Sequence, residues 1–362
     1  MQAAGSIQQF NNPRDLLQQS HFPSIDGLRA ISIIMVLIRH VTVDTNLDKY
    51  FNGGIGVEIF FVISGFLITT LLLKEKEKYG TISLKKFYIR RILRIVPVAF
   101  LFVMVLIALN YMFALGISRN SFIMSLLYIK NMPIKSGQMD WYSGHFWSLS
   151  VEEQFYIFFP ACIMLSINKT KIWITILVAA IPLISYVAFL NLPFFANRVV
   201  HTVTFIFINM LGQGTAAILT GCLLSILLFK GYFKKLPSGK WTTLILFIAA
   251  LAIHSIPYST FWSYVCVMIF DFLIGFVIIL NLNPDNYFAR FLNTPIMVKL
   301  GILSYSLYIW QQIFTHNQPW AHLFKYADSP LINLPALFIV AYVSYYFYEK
   351  KFLRLKDRFV RA

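Results

Sequence analysis

Ten mostly apolar runs, most of them near the length that crosses a bilayer, divide this chain and leave little room for another architecture. They lie at 28–43, 57–73, 95–115, 146–165 and 172–190, and then at 205–229, 241–256, 261–280, 300–314 and 331–348. A hydrocarbon core about 30 Å thick takes roughly 20 helical residues. The reading is an all-α, polytopic membrane bundle of about ten transmembrane helices. It comprises a tail at 1–22, a transmembrane domain at 23–350 and a second tail at 351–362. The first and ninth runs are short and contain polar residues.

Charge supports this class. Charged residues make up 13% of the chain, about half of what covers a soluble domain with water-facing surface. The formal charge of +16 does not point to nucleic acid, because the basic residues sit in short segments between apolar runs. With the N-terminus placed in the cytoplasm, 24 of the 31 Lys and Arg fall on the inner side. That bias in short loops sets orientation, so both termini are expected to be cytoplasmic. Lys74-Glu-Lys-Glu-Lys78 reads as a solvated helix end. Cys162, Cys222 and Cys266 each lie inside an apolar run, with no thiolate spacing, so no metal site or disulfide framework is expected. The polar N-terminus reads as a tail and not a signal peptide.

Ionisable residues at membrane depth are costly to bury, which makes each a functional candidate. Arg29 and His40 are 11 residues apart, on nearly one face of a helix and about 16 Å apart along its axis. An interface arginine plus a histidine satisfied by a neighbour fits that spacing equally well. In the stretch from His145 to Tyr156, Glu152 and Glu153 lie adjacent inside an apolar run. A carboxylate there could orient the imidazole of His40 and fix its tautomer; pairing with Arg39 or another cation is the alternative. Arg90, Arg91 and Arg94 precede the third run, where they can hold phosphates or anchor the helix among lipid headgroups. The glycines from Gly53 to Gly56 lead into a run containing Ser64, and glycine and serine also serve helix packing.

Together these stretches resemble the acyltransferase-3 family of bacterial membrane acyltransferases. The matching segments are Ile25 to His40, Gly53 to Ile68, Phe87 to Pro97, His145 to Tyr156, Leu300 to Trp310, and Tyr348-Glu349, in the family's order. The resemblance implies transfer of an acyl group, usually acetyl, from cytoplasmic acyl-CoA (acetyl-CoA) to an extracytoplasmic saccharide such as lipopolysaccharide. It implies a multi-pass protein of the inner membrane with no covalently bound cofactor. Arg29 and His40 match its Arg-x10-His motif, whose histidine looks catalytic. Arg91 and Arg94 match its Arg-x-x-Arg motif, implicated on the donor side with Arg90 beside it. Glu152 matches its Ser-Leu-Ser-Val-Glu motif, and Glu153 adjoins it as a second catalytic candidate. Ser64, His145, Trp147, Ser150, Tyr305 and Gln311 lie in the matched segments or beside them, as acceptor or structural residues near the site. Glu58 stands where the family usually has Asp, Gln311 where it commonly has His, and Lys351 where it has Pro. The larger members' periplasmic hydrolase-like domain is not expected after Ala362. The alternative reading is a transporter of a lipid-linked saccharide or small metabolite, which would need no acyl-CoA.

Overall fold

A helix end leaves backbone groups without partners, and side chains at these boundaries supply them. Ser83, Ser118, Asn286 and Ser329 each accept a backbone N–H at a helix start. Proline opens three helices at their first turn, one of them the helix that Ser329 caps, where its missing N–H is not needed. The structure is a computed structural model. It describes residues 13–19, 21–43, 45, 54–132, 140–190, 197, 200, 203–204, 214–237, 239–256 and 260–359.

Among these residues the fold is all-helical, with no strand. After a 3-10 turn at Pro13–Gln18 come α1 (Pro23–Val41), α2 (Gly54–Tyr79), α3 (Leu84–Phe113), α4 (Arg119–Leu126) and α5 (Phe146–Leu165). Then follow α6 (Ile167–Phe189), α7 (Thr215–Phe229), α8 (Thr242–Ser255), α9 (Thr260–Asn281), α10 (Tyr287–Leu292) and α11 (Pro295–Thr315). Last come α12 (Pro330–Val343), a π-helical turn at Ser344–Glu349, and α13 (Lys350–Asp357).

Among the described residues, five stretches are long and apolar enough to cross a membrane: Gly54–Tyr79, Leu84–Phe113, Ile167–Val187, Trp262–Asn281 and Pro330–Lys356. These fit a multi-pass membrane protein. Of the expected sixth run, 205–213 lies outside the described residues. The helix from 330 runs on past residue 350, so the expected second tail is helical up to Asp357.

The run Lys74 to Lys78 differs from a solvated helix end. Lys76 Nζ donates to the carbonyls of Ile163 and Met164 at 2.8 and 2.7 Å, which are orphan acceptors at the end of α5. Glu75 pairs with Arg90 at 3.1 Å, and Glu77 with Arg14. Glu75 and Lys76 thus join neighbouring helices, while Glu77 and Lys78 remain exposed.

Close backbone approach sets the two contacts that position the site. On α11, a Cβ at Gly301 would lie 1.9 Å from the Asp26 carbonyl oxygen of α1. On α2, a Cβ at Gly65 would lie 1.9 Å from the Ile218 carbonyl oxygen of α7. Small residues at such crossings let helices pack backbone to backbone. Asp26 meets Gly301 at one end of the α1–α11 pair, and His40 meets Gln311 at the other. The two helices therefore run in the same direction.

Candidate active site

α1 carries Arg29 near its start and His40 next to its end, so one rigid element fixes their separation. At the far end, His40 Nδ1 is hydrogen-bonded to the side-chain oxygen of Gln311. A carboxamide oxygen only accepts, so the neutral ring carries its proton on Nδ1 and keeps a lone pair on Nε2. The Trp141 ring packs edge-on with His40 at 5.3 Å between centroids, and with His316 at 5.0 Å.

The turn bearing Trp141 is docked on the end of α11. Trp141 Nε1 donates to the Gln312 carbonyl at 2.8 Å, and the His145 backbone N–H donates to Gln312 Oε1 at 3.0 Å. Gln312 Oε1 also meets His145 Nδ1. A buried ion pair holds the other side of this turn, with Lys130 Nζ 2.9 Å from Asp140 Oδ2. Asp140 also accepts the Ser143 N–H at 2.7 Å and the Ser143 hydroxyl at 2.8 Å, and it bonds Ser121. Burial alone would raise the Asp140 carboxyl, but the Ser121 hydrogen bond, the Lys130 charge and the Ser143 N–H hold it below the usual carboxylate range.

The carboxylates stand elsewhere. Arg91 reaches Glu152 at 2.7 Å and Glu153 at 3.2 Å, and its guanidinium lies 3.8 Å from the centre of the Tyr156 ring. Ser64 and Tyr156 hydroxyls donate to Glu152 at 2.7 and 2.8 Å. Glu152 lies six residues into α5, about 9 Å below its start, whereas His40 is the last residue but one of α1. The carboxylate expected to orient His40 thus sits too deep, and a neutral amide takes its place.

Arg94 differs from Arg91. Among the described residues it has no hydrogen bond or ion pair, and it lines two cavities. One, of about 160 Å³, is also lined by Arg29, Ser64, Glu152, Tyr305 and Tyr308. The other, of about 460 Å³, opens beside Arg90, Tyr79 and Lys356. Both share Ile68, Leu71, Arg91 and Arg94, so they adjoin. Arg29 has one distant acidic neighbour, Asp26 at 3.9 Å. Arg90 is held by Glu75 and by the Phe359 carbonyl at 3.1 Å.

The remaining expected residues divide. Tyr305 lines the smaller cavity and donates to the Ile95 carbonyl at 2.9 Å. Ser150 accepts the Lys130 N–H at 3.0 Å and donates to the Phe146 carbonyl at 2.8 Å, while Trp147 packs edge-on with Phe61 at 6.0 Å. These last two are scaffold in this arrangement. Sequence reasoning did not single out Trp141, Gln312, Tyr308 or Ser148. The last two lay inside matched segments, and Trp141 carried no signal beyond its place just before His145.

The acyltransferase-3 profile, described as an acyltransferase domain, matches residues 22–349. The SACOL0978 protein of Staphylococcus aureus strain COL, provisionally named an O-acetyltransferase, is 29% identical over 365 residues, covering 92% of this chain and 57% of that protein. The O-acetyltransferase OatA of Staphylococcus aureus strain NCTC 8325 is 26% identical over 324 residues, covering 83% of this chain and 52% of that protein. The chain thus spans little more than half the length of these relatives. No solved structure matches it. With the profile covering the whole span from α1 through the π-helical turn, the chain belongs to the acyltransferase-3 family.

Proposed function

We propose that this chain moves an acyl group, acetyl in the simplest case, from cytoplasmic acyl-CoA to a hydroxyl of an extracytoplasmic saccharide. It would do so as a multi-pass protein of the bacterial inner membrane with both termini cytoplasmic. The observation that carries the reading is the layout of α1. Arg29 enters a cavity with the unpaired Arg94, and His40 stands at the other end with its Nε2 lone pair available. A guanidinium without an ion-pair partner among the described residues, as at Arg94, beside one only loosely paired, as at Arg29, suits the phosphates of a CoA donor. An imidazole held through Nδ1 suits general-base removal of a hydroxyl proton.

In this reading Arg94 and Arg29 hold phosphate, while Arg91 is committed to Glu152 and Glu153 and shapes the wall. Gln311 sets the tautomer of His40, a role sequence reasoning gave to Glu152 or Glu153. The alternative of His40 as a transient acyl carrier uses the same nitrogen.

The test uses inverted membrane vesicles given labelled acetyl-CoA, with label followed into the surface-glycan fraction at matched expression. His40→Gln should lower transfer about 10²- to 10⁴-fold, the usual worth of a general base. Near-normal transfer by that variant would remove His40 from the chemistry, and wild-type membranes that label no glycan would overturn acyl transfer itself.

A further inference from the structure

The smaller cavity follows α2 from Leu71 to Val57, about 21 Å at 1.5 Å per residue. Its arginines lie at one end. At the other, Val57, Phe60 and Leu149 are apolar, and the polar side-chain atoms are the Tyr308 and Ser148 hydroxyls. These two oxygens are 2.5 Å apart, and either can donate to the other.

We infer that the Tyr308–Ser148 hydroxyl pair holds the carbonyl oxygen of the acyl thioester and stabilises it as it becomes an oxyanion. The inference deepens the acyl-transfer reading and rests on it. Of the other hydroxyls along the cavity, Ser64 and Tyr156 are committed to Glu152 and Tyr305 to the Ile95 carbonyl, while the Ser304 hydroxyl, one turn before Tyr308 on α11, is buried with no partner among the described residues. Tyr308 is tied more loosely, its hydroxyl donating to the His145 carbonyl at 3.4 Å, near the limit of a hydrogen bond. Ser148 also has the His145 carbonyl within reach at 3.0 Å. When it turns to donate to Tyr308 instead, the phenolic proton can exchange its long contact with the His145 carbonyl for a ligand in the cavity. Such a chain of hydroxyls polarises along its length and strengthens its last bond.

Position completes the case. Tyr308 is three residues before Gln311 on α11, which puts it on nearly the same face and about 4.5 Å further along the axis toward the cavity. A thioester whose oxygen rests on Tyr308 is then within about one helical turn of the residue that holds the imidazole.

The electron balance follows from that placement. The acceptor oxygen attacks the carbonyl carbon while its proton passes to His40 Nε2, and the C=O π pair moves onto the oxygen held by Tyr308. When that pair returns, the C–S bond breaks, and the departing thiolate takes the proton from His40. The charge develops at the apolar end of the cavity, where a fixed donor counts for more than in water.

The test compares Tyr308→Phe and Ser148→Ala with wild type in nanodiscs, using acetyl-CoA and the surface-glycan fraction of the expressing cells. Loss of one oxyanion donor should lower kcat about 10²-fold for Tyr308→Phe, with KM for acetyl-CoA within about twofold. Ser148→Ala should lower kcat by about tenfold. Phenylalanine keeps the ring, so folding is spared. A second measurement needs no turnover: the carbonyl stretch of ¹³C-acetyl-CoA bound to His40→Gln protein. It should lie at lower frequency with Tyr308 present than with phenylalanine. Unchanged kcat, or a rise in KM alone, would overturn the inference, as would a carbonyl stretch indifferent to the phenol. A carbonyl shift in protein that labels no glycan would instead locate the failure in the transfer reading.

Discussion

Gln311 accepts the Nδ1 proton of His40 from a position one residue beyond Trp310, where it is itself fully buried. A neutral amide orients the imidazole without adding charge to the site. Gln311→Ala leaves Nδ1–H without that acceptor and the tautomer unset. It should lower kcat by about 10- to 100-fold with KM for acyl-CoA within about twofold. Steady-state kinetics in nanodiscs at matched protein checks this. A KM effect with unchanged kcat would make Gln311 part of the donor pocket instead.

The two arginines of the Arg-x-x-Arg motif should fail in opposite ways. Removing Arg94 takes away a cation with no partner, so Arg94→Gln should fold normally and raise KM for acyl-CoA by roughly tenfold, about 1.4 kcal/mol. Removing Arg91 leaves Glu152 and Glu153 buried without their cation, a loss of about 3–5 kcal/mol where one partner of a buried pair is deleted. Arg91→Gln should therefore appear first as lost protein and a lowered melting temperature. The triple change with Glu152→Gln and Glu153→Gln should recover part of that loss. Equal behaviour of the two single variants in thermal melts would contradict this division.

The all-helical architecture was legible because apolar length sets it: each described run has a helix over it, and several extend past it by a turn or more. Ends were less legible. α2 continues to Tyr79, where Lys76 finds the Ile163 carbonyl and Glu75 finds Arg90, and just past α13 the Phe359 carbonyl accepts from Arg90. The site was legible as a set of residue types and not as a set of pairs. Buried Glu152 and Glu153 required a cation, but nothing local says it is Arg91, some 60 positions earlier. Spacing along α1 gave the separation of Arg29 from His40, whereas the identity of the imidazole's partner depends on how α11 docks against α1. Trp141 was invisible for the same reason, since its contact with His40 exists only after the turn closes on Gln312.

That turn should show its own pH dependence. The Asp140 carboxyl is held below the usual carboxylate range, so the stability it contributes is fully present above the ordinary value. It is lost as pH falls through the lowered one. Melting temperature should therefore be indifferent to Asp140 between about pH 5 and 8 and should drop only in stronger acid. Asp140→Asn should remove that acid-side loss while costing about 3–5 kcal/mol at neutral pH, because Lys130 is left buried without its partner. The paired change Lys130→Met with Asp140→Asn should be less harmful than Asp140→Asn alone. A wild-type melting profile still rising between pH 6 and 8 would point to a different group.

The α1–α11 crossing offers a test that separates the site's frame from its chemistry. Gly301 has the Asp26 carbonyl where its own Cβ would stand, at 1.9 Å, and the obstacle is backbone, so no side-chain rotation relieves it. Gly301→Ala must push α11 away from α1. Gln311, ten residues further along α11, then loses its registration on His40, although no residue of the pair has changed. Overpacking of this kind costs about 1–3 kcal/mol, so the protein should remain expressible with a lowered melting temperature. Its kcat should fall about as far as that of Gln311→Ala, and adding Gln311→Ala to it should cost little more, the non-additivity expected of residues acting through one contact. Full additivity of the two changes would show that Gly301 supports the fold without setting the geometry of His40.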